Sequence, residues 1–226
     1  MTDQSPIPTG RVALLDLPAD CVTAWSSAAA AIGATIDPTA TPAACAVHAN
    51  SPQPLVIVAC GTRPLDGRLF DPANNIFRVA TVVVVIQRED EAAYWRAVAW
   101  DTAPAVAAAN VLEEVLRAAL AESASRKAAW EEVESFRERS RSLTEPEQRV
   151  FESVCAGKLN KQMASEMRVS IRTVEQRRRR VFEKMGVESA VPLASLASAV
   201  AALESHARRM HRNLSGAVIP PPGRLG

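Results

Sequence analysis

Apolar positions along the 226-residue chain follow two rhythms, and the rhythm changes near its middle. In the N-terminal half, "RVALLDL", "PLVIVAC" and "RVATVVVVIQ" are short, almost continuously apolar runs. Strands covered by helices on both faces of a parallel sheet have this pattern, because neither face of the strand meets water. "CVTAWSSAAAAIG", "EDEAAYWRAVAW" and "NVLEEVLRAALAES" carry helical patterns between and after them. The alternation predicts an α/β, flavodoxin-like domain over residues 1–120.

Beyond residue 120 the spacing is helical throughout. "RKAAWEEVESFRERSRS" sets Trp130, Val133 and Phe136 at helical intervals among mixed charges. It predicts a helical linker over 121–142 that extends the preceding helix, its apolar triplet open to a second copy or to the adjoining domain. Thr144 and Glu147 have the T-x-x-E spacing of a capping box. Val150, Phe151 and Val154 then form an apolar face, and Gly157 suits the left-handed residue that stops a helix. "NKQMASEM" is a short helix with Met163, Ala164 and Met167 apolar, separated by "RVS" from a longer one that Ser170 can cap and Gly186 can end.

On that longer helix Ile171, Val174, Val181, Phe182 and Met185 share one stripe, while Arg172, Gln176, Arg179 and Glu183 lie opposite. Glu175 and Arg180 flank the polar face. The run Arg177–Arg180 therefore has no single role: Arg178 points toward the apolar stripe, where its head needs a carboxylate or a helix-end carbonyl. A charge run alone is usually a solvated face, and a basic tetrad can also be a nuclear targeting patch. Two short helices joined by a tight turn, the second with a basic outer face, instead predict a helix-turn-helix.

Charge supports the division. Residues 1–120 carry 7 Lys/Arg against 12 Asp/Glu, and residues 143–212 carry 13 against 8. The near-neutral total thus hides an acidic half and a basic half suited to phosphate. Cys21, Cys45, Cys60 and Cys155 show no C-x-x-C spacing, and His48, His206 and His211 form no ligand pattern with them. Reduced thiols and no metal or cofactor are expected. The start "MTDQSPIPTG" has no basic region followed by an apolar run, and no segment is long enough to cross a membrane, so the expectation is a cytoplasmic protein.

The stretch "LTEPEQRVFESVCAGKLNKQMASEMRVSIRTVEQRRRRVFEKMGV" resembles the DNA-binding domain of LuxR/FixJ-type response regulators, an all-α four-helix helix-turn-helix. Leu143, Thr144, Glu147, Gly157, Asn160, Lys161, Ala164, Ser170, Thr173, Val174, Arg178, Lys184, Gly186 and Val187 match its pattern without a gap. The resemblance implies that Glu175, Gln176 and Arg179 face bases, and that Lys161, Arg172, Thr173, Arg177, Arg180 and Lys184 face the DNA backbone. Arg can fork onto guanine, Gln onto adenine, and Glu can accept from cytosine. Glu175 stands where the family has Lys, and Arg177 where it has His. The domain is expected over 143–212. Its last helix, "SAVPLASLASAVAALESHARRM", carries Leu193, Leu196, Val200 and Leu203 on one face, which the resemblance implies pairs two protomers and which otherwise packs on its own domain. A disordered tail is expected over 213–226.

The N-terminal domain resembles the receiver of a two-component regulator in architecture, without its chemistry. A working receiver has an acidic cluster holding magnesium, an Asp accepting phosphate, a Ser/Thr and a Lys. Here Asp16 remains near the first position with Asp20 further on, and the others fall on Cys60, Gln87 and Ala105. "RPLDGRLFDPANNIF" has two prolines and no apolar stripe, so the third helix looks eroded. These features imply a pseudo-receiver. Cys60 could sense redox state, although a cysteine ending an apolar strand is more often simply buried.

The sequence predicts a dimeric, sequence-specific regulator of transcription, with double-stranded DNA as partner, RNA polymerase as a further candidate partner, no membrane, and no catalytic residues. A sigma-factor-like module acting through RNA polymerase is the alternative, and the chain shows no second sigma-like helical region. An enzyme on the N-terminal sheet would need a phosphate loop or a nucleophile beside its base, and neither G-x-G-x-x-G nor a suitably placed histidine is present.

Overall fold

The computed structural model describes residues 9–61, 69, 76–96, 99–105 and 107–215. The chain divides into two compact units, Met1–Trp130 with Ala207–Gly226, and Glu131–His206.

In the first unit, strands β1 (Arg11–Leu15), β2 (Thr35–Asp37), β3 (Leu55–Cys60), β4 (Thr81–Ile86) and β5 (Asp101–Pro104) form one parallel sheet in the order β2-β1-β3-β4-β5. This is the flavodoxin-like order. Helices α1 (Ala19–Ala31), α2 (Pro42–Ala49), α3 (Ile76–Val79), α4 (Ala92–Trp95) and α5 (Ala109–Arg141) complete the layers. Ile57, Ala59, Val82 and Val84 join Cys45, Ala49 and Trp95 in one core. Val56, Val58, Val83 and Val85 join Trp25, Ala28, Leu112 and Leu116 in the other. Both faces are covered, which is why β3 and β4 are apolar at almost every position.

Several elements differ from the sequence-based expectation. "EDEAAYWRAVAW" does not form one helix: a 3-10 turn (Glu89–Glu91) leads into the single turn of α4. Strands β2 and β5 and helix α2 stand in segments with too little apolar contrast to announce them. Helix α2 owes its start to Thr41, whose hydroxyl accepts the Ala44 N–H at 3.2 Å, and to Pro42 at the head of the helix. The segment expected to be an eroded helix, 63–77, lies mostly outside the described residues.

Helix α5 is fastened to the sheet by polar groups. Ser123 Oγ accepts the Leu55 N–H at 2.9 Å and donates to Val79 O at 2.6 Å, both bonds buried. Thr81 Oγ1 donates to Ala119 O at 2.8 Å, and Lys127 Nζ donates to Ala49 O and Ser51 O at the end of α2. Farther along α5, Trp130 packs on the first unit's core with the Arg78 guanidinium 4.7 Å from its ring centre. Phe136, two turns on, serves the second unit, its ring 6.1 Å from that of Phe151. The apolar triplet of the expected linker is thus divided between two cores.

The second unit contains α6 (Glu145–Cys155), α7 (Asn160–Met167), α8 (Ile171–Met185) and the start of α9, which runs Ala190–Ser215. Val150, Val154, Met163, Val174, Val181, Met185 and Leu193 are buried. On α9, Val200 is buried as well, Leu196 is half-buried, and Leu203 is 37% exposed. Part of the stripe expected to pair protomers is therefore already covered. Residues 216–226 of the expected tail lie outside the described residues.

Candidate nucleic-acid interface

The interface is built from helix ends. Gly157 follows α6 with φ +73°, and Arg168 ends α7 with φ +53°, a conformation in which the Val169 N–H reaches back to Ala164 O at 3.0 Å. Ser170 Oγ then accepts the Thr173 N–H at 3.1 Å and starts α8. At the far end Gly186 takes φ +66°, and Arg139 Nη1 donates 3.0 Å to Met185 O. A cation thus meets the unsatisfied carbonyls at the negative end of α8.

Val174, Val181 and Met185 hold α8 on α6 and α7. Ile171, expected on the same stripe, is instead 46% exposed at the first turn of the helix. Arg172, Glu175, Gln176, Arg179 and Arg180 are exposed, while Thr173 and Arg177 are half-buried. All three residues expected to face bases therefore share one open face of α8. Thr173 Oγ1 lies 2.8 Å from Ser170 Oγ, within hydrogen-bond reach of the cap.

Arg178 corrects an expectation. Among the described residues, neither a carboxylate nor a helix-end carbonyl receives it. Its Nη1 donates to the Asn160 side-chain oxygen at the start of α7, and its guanidinium lies 5.4 Å from the Phe182 ring centre. Asn160 matched the motif in the sequence, but nothing local assigned it this role. Asn160, Arg178 and Phe182, with Glu175, Arg179, Glu183, Val187 and Glu188, line an open groove of about 390 Å³. Arg179 Nε donates 2.9 Å to Glu183 Oε1.

Lys184 also has a structural partner. Its ammonium lies 2.6 Å from Glu147 Oε2 and donates 2.9 Å to Ser142 O, joining the end of α8 to the start of α6. Glu147 is only 4% exposed, and its second bond comes from the Thr144 N–H at 2.8 Å. Lys184 and the Thr144 amide hold the Glu147 carboxyl at about 2, well below the usual carboxylate range. Expected at the DNA backbone, Lys184 spends its charge inside its own domain here. Lys161 is exposed on the first turn of α7.

The remaining candidates gather at the carboxyl edge of the sheet. Asp16 follows β1 with φ +52°, Cys60 ends β3, Gln87 follows β4 and Ala105 follows β5. Cys60 is 5% exposed, Gln87 uses its N–H on Glu91 Oε2 at 3.3 Å, and the Ala105 N–H extends the ladder to Ile86 O at 2.8 Å. Cys21 donates weakly to Ala105 O at 3.7 Å, and burial, with Asp20, pushes its thiol above the usual range. Next to Cys60, a Cβ on Gly61 would stand 2.9 Å from Val85 O and 3.0 Å from the Trp95 indole nitrogen. Among the described residues no group of three or more His, Cys, Asp or Glu could hold a metal ion. These residues do not fit the magnesium that a receiver uses, since Cys60 places a soft thiol where an oxygen ligand belongs and Ala105 a methyl group where the lysine belongs. None of the four cysteines is in a disulfide.

Residues 141–197 match the family model described as bacterial regulatory proteins, luxR family. No curated protein sequence matches the chain. Among solved structures, the response regulator StyR is 20% identical with a TM-score of 0.60, covering 84% of this chain and 98% of its own. Full-length FixJ from B. japonicum is 21% identical over 86% of this chain and 98% of its own, with a TM-score of 0.43. RcsB from Salmonella typhimurium is 17% identical over 85% and 98%, with a TM-score of 0.33. The luxR match coincides with the helix-turn-helix built by α6 to α8, and the StyR likeness extends over both units. Residues 141–197 thus match the luxR family of bacterial regulatory proteins, in a chain that shares the fold of the response regulator StyR.

Proposed function

We propose that this protein is a sequence-specific DNA-binding regulator of transcription that works as a homodimer in the cytoplasm and is not switched by aspartyl phosphorylation. One observation carries the reading: Glu175, Gln176 and Arg179 stand together on the open face of α8, with Arg172 and Arg180 exposed beside them. A helix of this kind fits the major groove, where Arg forks onto guanine O6 and N7 and Gln onto adenine. Lys161, Arg172, Thr173, Arg177 and Arg180 supply phosphate contacts in this pose, which position the helix without reading sequence. Lys184 stays with Glu147. The absence of a carboxylate at position 60 and of a lysine at position 105 supports control by something other than an acyl phosphate.

A duplex selected from a randomised pool by the wild-type chain tests the division of labour. Arg179→Ala lowers discrimination between that duplex and random DNA by about 1–3 kcal/mol. Arg180→Ala weakens all sequences alike and lowers the salt slope by about one unit. Purely sequence-blind losses in both variants would remove Arg179 as a base reader. Sedimentation of the complex tests the pairing, since one protomer saturating the selected site would exclude a dimer.

A further inference from the structure

We propose that Glu183 is a specificity-positioning residue, which holds the Arg179 guanidinium so that its two terminal amino groups meet a guanine. The inference rests on the base-reading role of Arg179 proposed above. Arg179 has carboxylates one turn away in both directions, Glu175 at i−4 and Glu183 at i+4. Intrinsic helix preference favours a glutamate on the N-terminal side of its cation. The bond nevertheless runs the other way, from Arg179 Nε to Glu183 Oε1 at 2.9 Å.

That choice has two chemical consequences. It ties down the inner nitrogen of the guanidinium, leaving the Nη1 and Nη2 fork for a bidentate contact with O6 and N7. It also leaves the Glu175 carboxylate available to accept from a cytosine amino group. Folding stability does not explain the pair. The two side chains are 83% and 61% exposed, and an ion pair that open contributes little in water. The pair matters once the groove excludes water, because a guanidinium with a fixed fork loses less rotamer freedom on binding than one that must be ordered there.

This arrangement predicts effects of opposite sign. Glu183 is an anion beside a face meant for phosphate, so removing it helps binding to random DNA electrostatically. For the selected duplex, the lost orientation of Arg179 outweighs that gain. The experiment titrates the full chain, as wild type, Glu183→Ala, Glu183→Gln, Arg179→Ala and the double alanine variant, against the selected duplex and random DNA.

Glu183→Ala is expected to lower the selected-to-random affinity ratio about fivefold while random-DNA affinity stays level or rises. Glu183→Gln keeps most of the ratio, because its amide oxygen still accepts from Nε. The double variant matches Arg179→Ala, and the unfolding midpoint of Glu183→Ala matches wild type. A rise in both affinities by the same factor, with the ratio unchanged, overturns the inference. If Arg179→Ala itself leaves the ratio intact, the base-reading role fails first. If Arg179→Ala loses discrimination and Glu183→Ala does not, only the positioning role fails.

Discussion

At the carboxyl edge of the sheet and along the outer face of α8, regular backbone geometry presents a row of side chains at fixed spacing. The parallel register brings Asp16, Cys60, Gln87 and Ala105 to one edge, as the helical repeat brings Arg172, Glu175, Gln176 and Arg179 to one face. The rows differ in what they carry. The first holds one aspartate, a buried thiol, an amide and a methyl group; the second holds exposed charged and amide groups. Apart from Cys60, which is itself buried in β3, neither row supplies the packing beneath. Strands β3 and β4 bury every residue they contain, and α8 buries Val174, Val181 and Met185. Packing therefore rests mainly on residues outside the two rows, because burial of apolar surface sets stability.

The sharpest way to break this comparison is to damage the support of the second row and leave the row intact. Met163 is fully buried on α7, away from the outer face of α8. Met163→Ala is expected to destabilise the helix-turn-helix by about 2–5 kcal/mol, seen as faster amide exchange across α6 to α8 and weaker binding to all DNA. Trp25, Trp95, Trp100 and Trp130 all lie in the first unit, so tryptophan fluorescence is the wrong monitor for this change. Discrimination among sequences should survive in the molecules that remain folded. A selective loss of base discrimination would show that the support and the outer face of α8 are not separable.

Acid gives a smaller effect confined to the second unit. The Glu147 carboxyl is held at about 2, below its unfolded value, so between about pH 5 and pH 2 the unfolded chain binds more protons than the native one. The stabilisation from the Lys184 contact is complete above that window and fades as pH falls through it. Lys184→Met should cost about 1–2 kcal/mol at neutral pH and flatten the acid dependence, measured by exchange of the α6 and α8 amides. An unchanged acid limb would mean that another group sets it.

No effect is expected from the last perturbation, which addresses the first row. Incubation with acetyl phosphate and magnesium should leave the intact mass and the DNA affinity unchanged. An acyl phosphate needs a carboxylate nucleophile with oxygen-ligated magnesium beside it, and among the described residues the edge offers Asp16 without an acidic cluster. A stoichiometric adduct on Asp16 or Asp20 with tighter DNA binding would restore a phosphorylation switch and erase the contrast between the rows.

What the sequence determined by itself is local. Thr144 with Glu147, Ser170 with Thr173, and the glycines at 157 and 186 each act on backbone groups within a few residues, so spacing alone located the helix ends. The buried runs of β3 and β4 were equally legible, since continuous apolarity over six residues has few other meanings. Short β2 and β5 were not, because so few residues become a strand only when a neighbouring strand supplies the hydrogen bonds. Tertiary structure also decided the destination of each charge. Periodicity turned Arg178 inward, but Asn160, 18 positions away, became its partner only when α7 packed on α8. Lys184 looked like a phosphate contact until α6 brought Glu147 across 37 positions. Apolar pattern states which side of a helix turns inward; a long cationic side chain is settled by whichever oxygen the packing brings within its reach, and that depends on every helix at once.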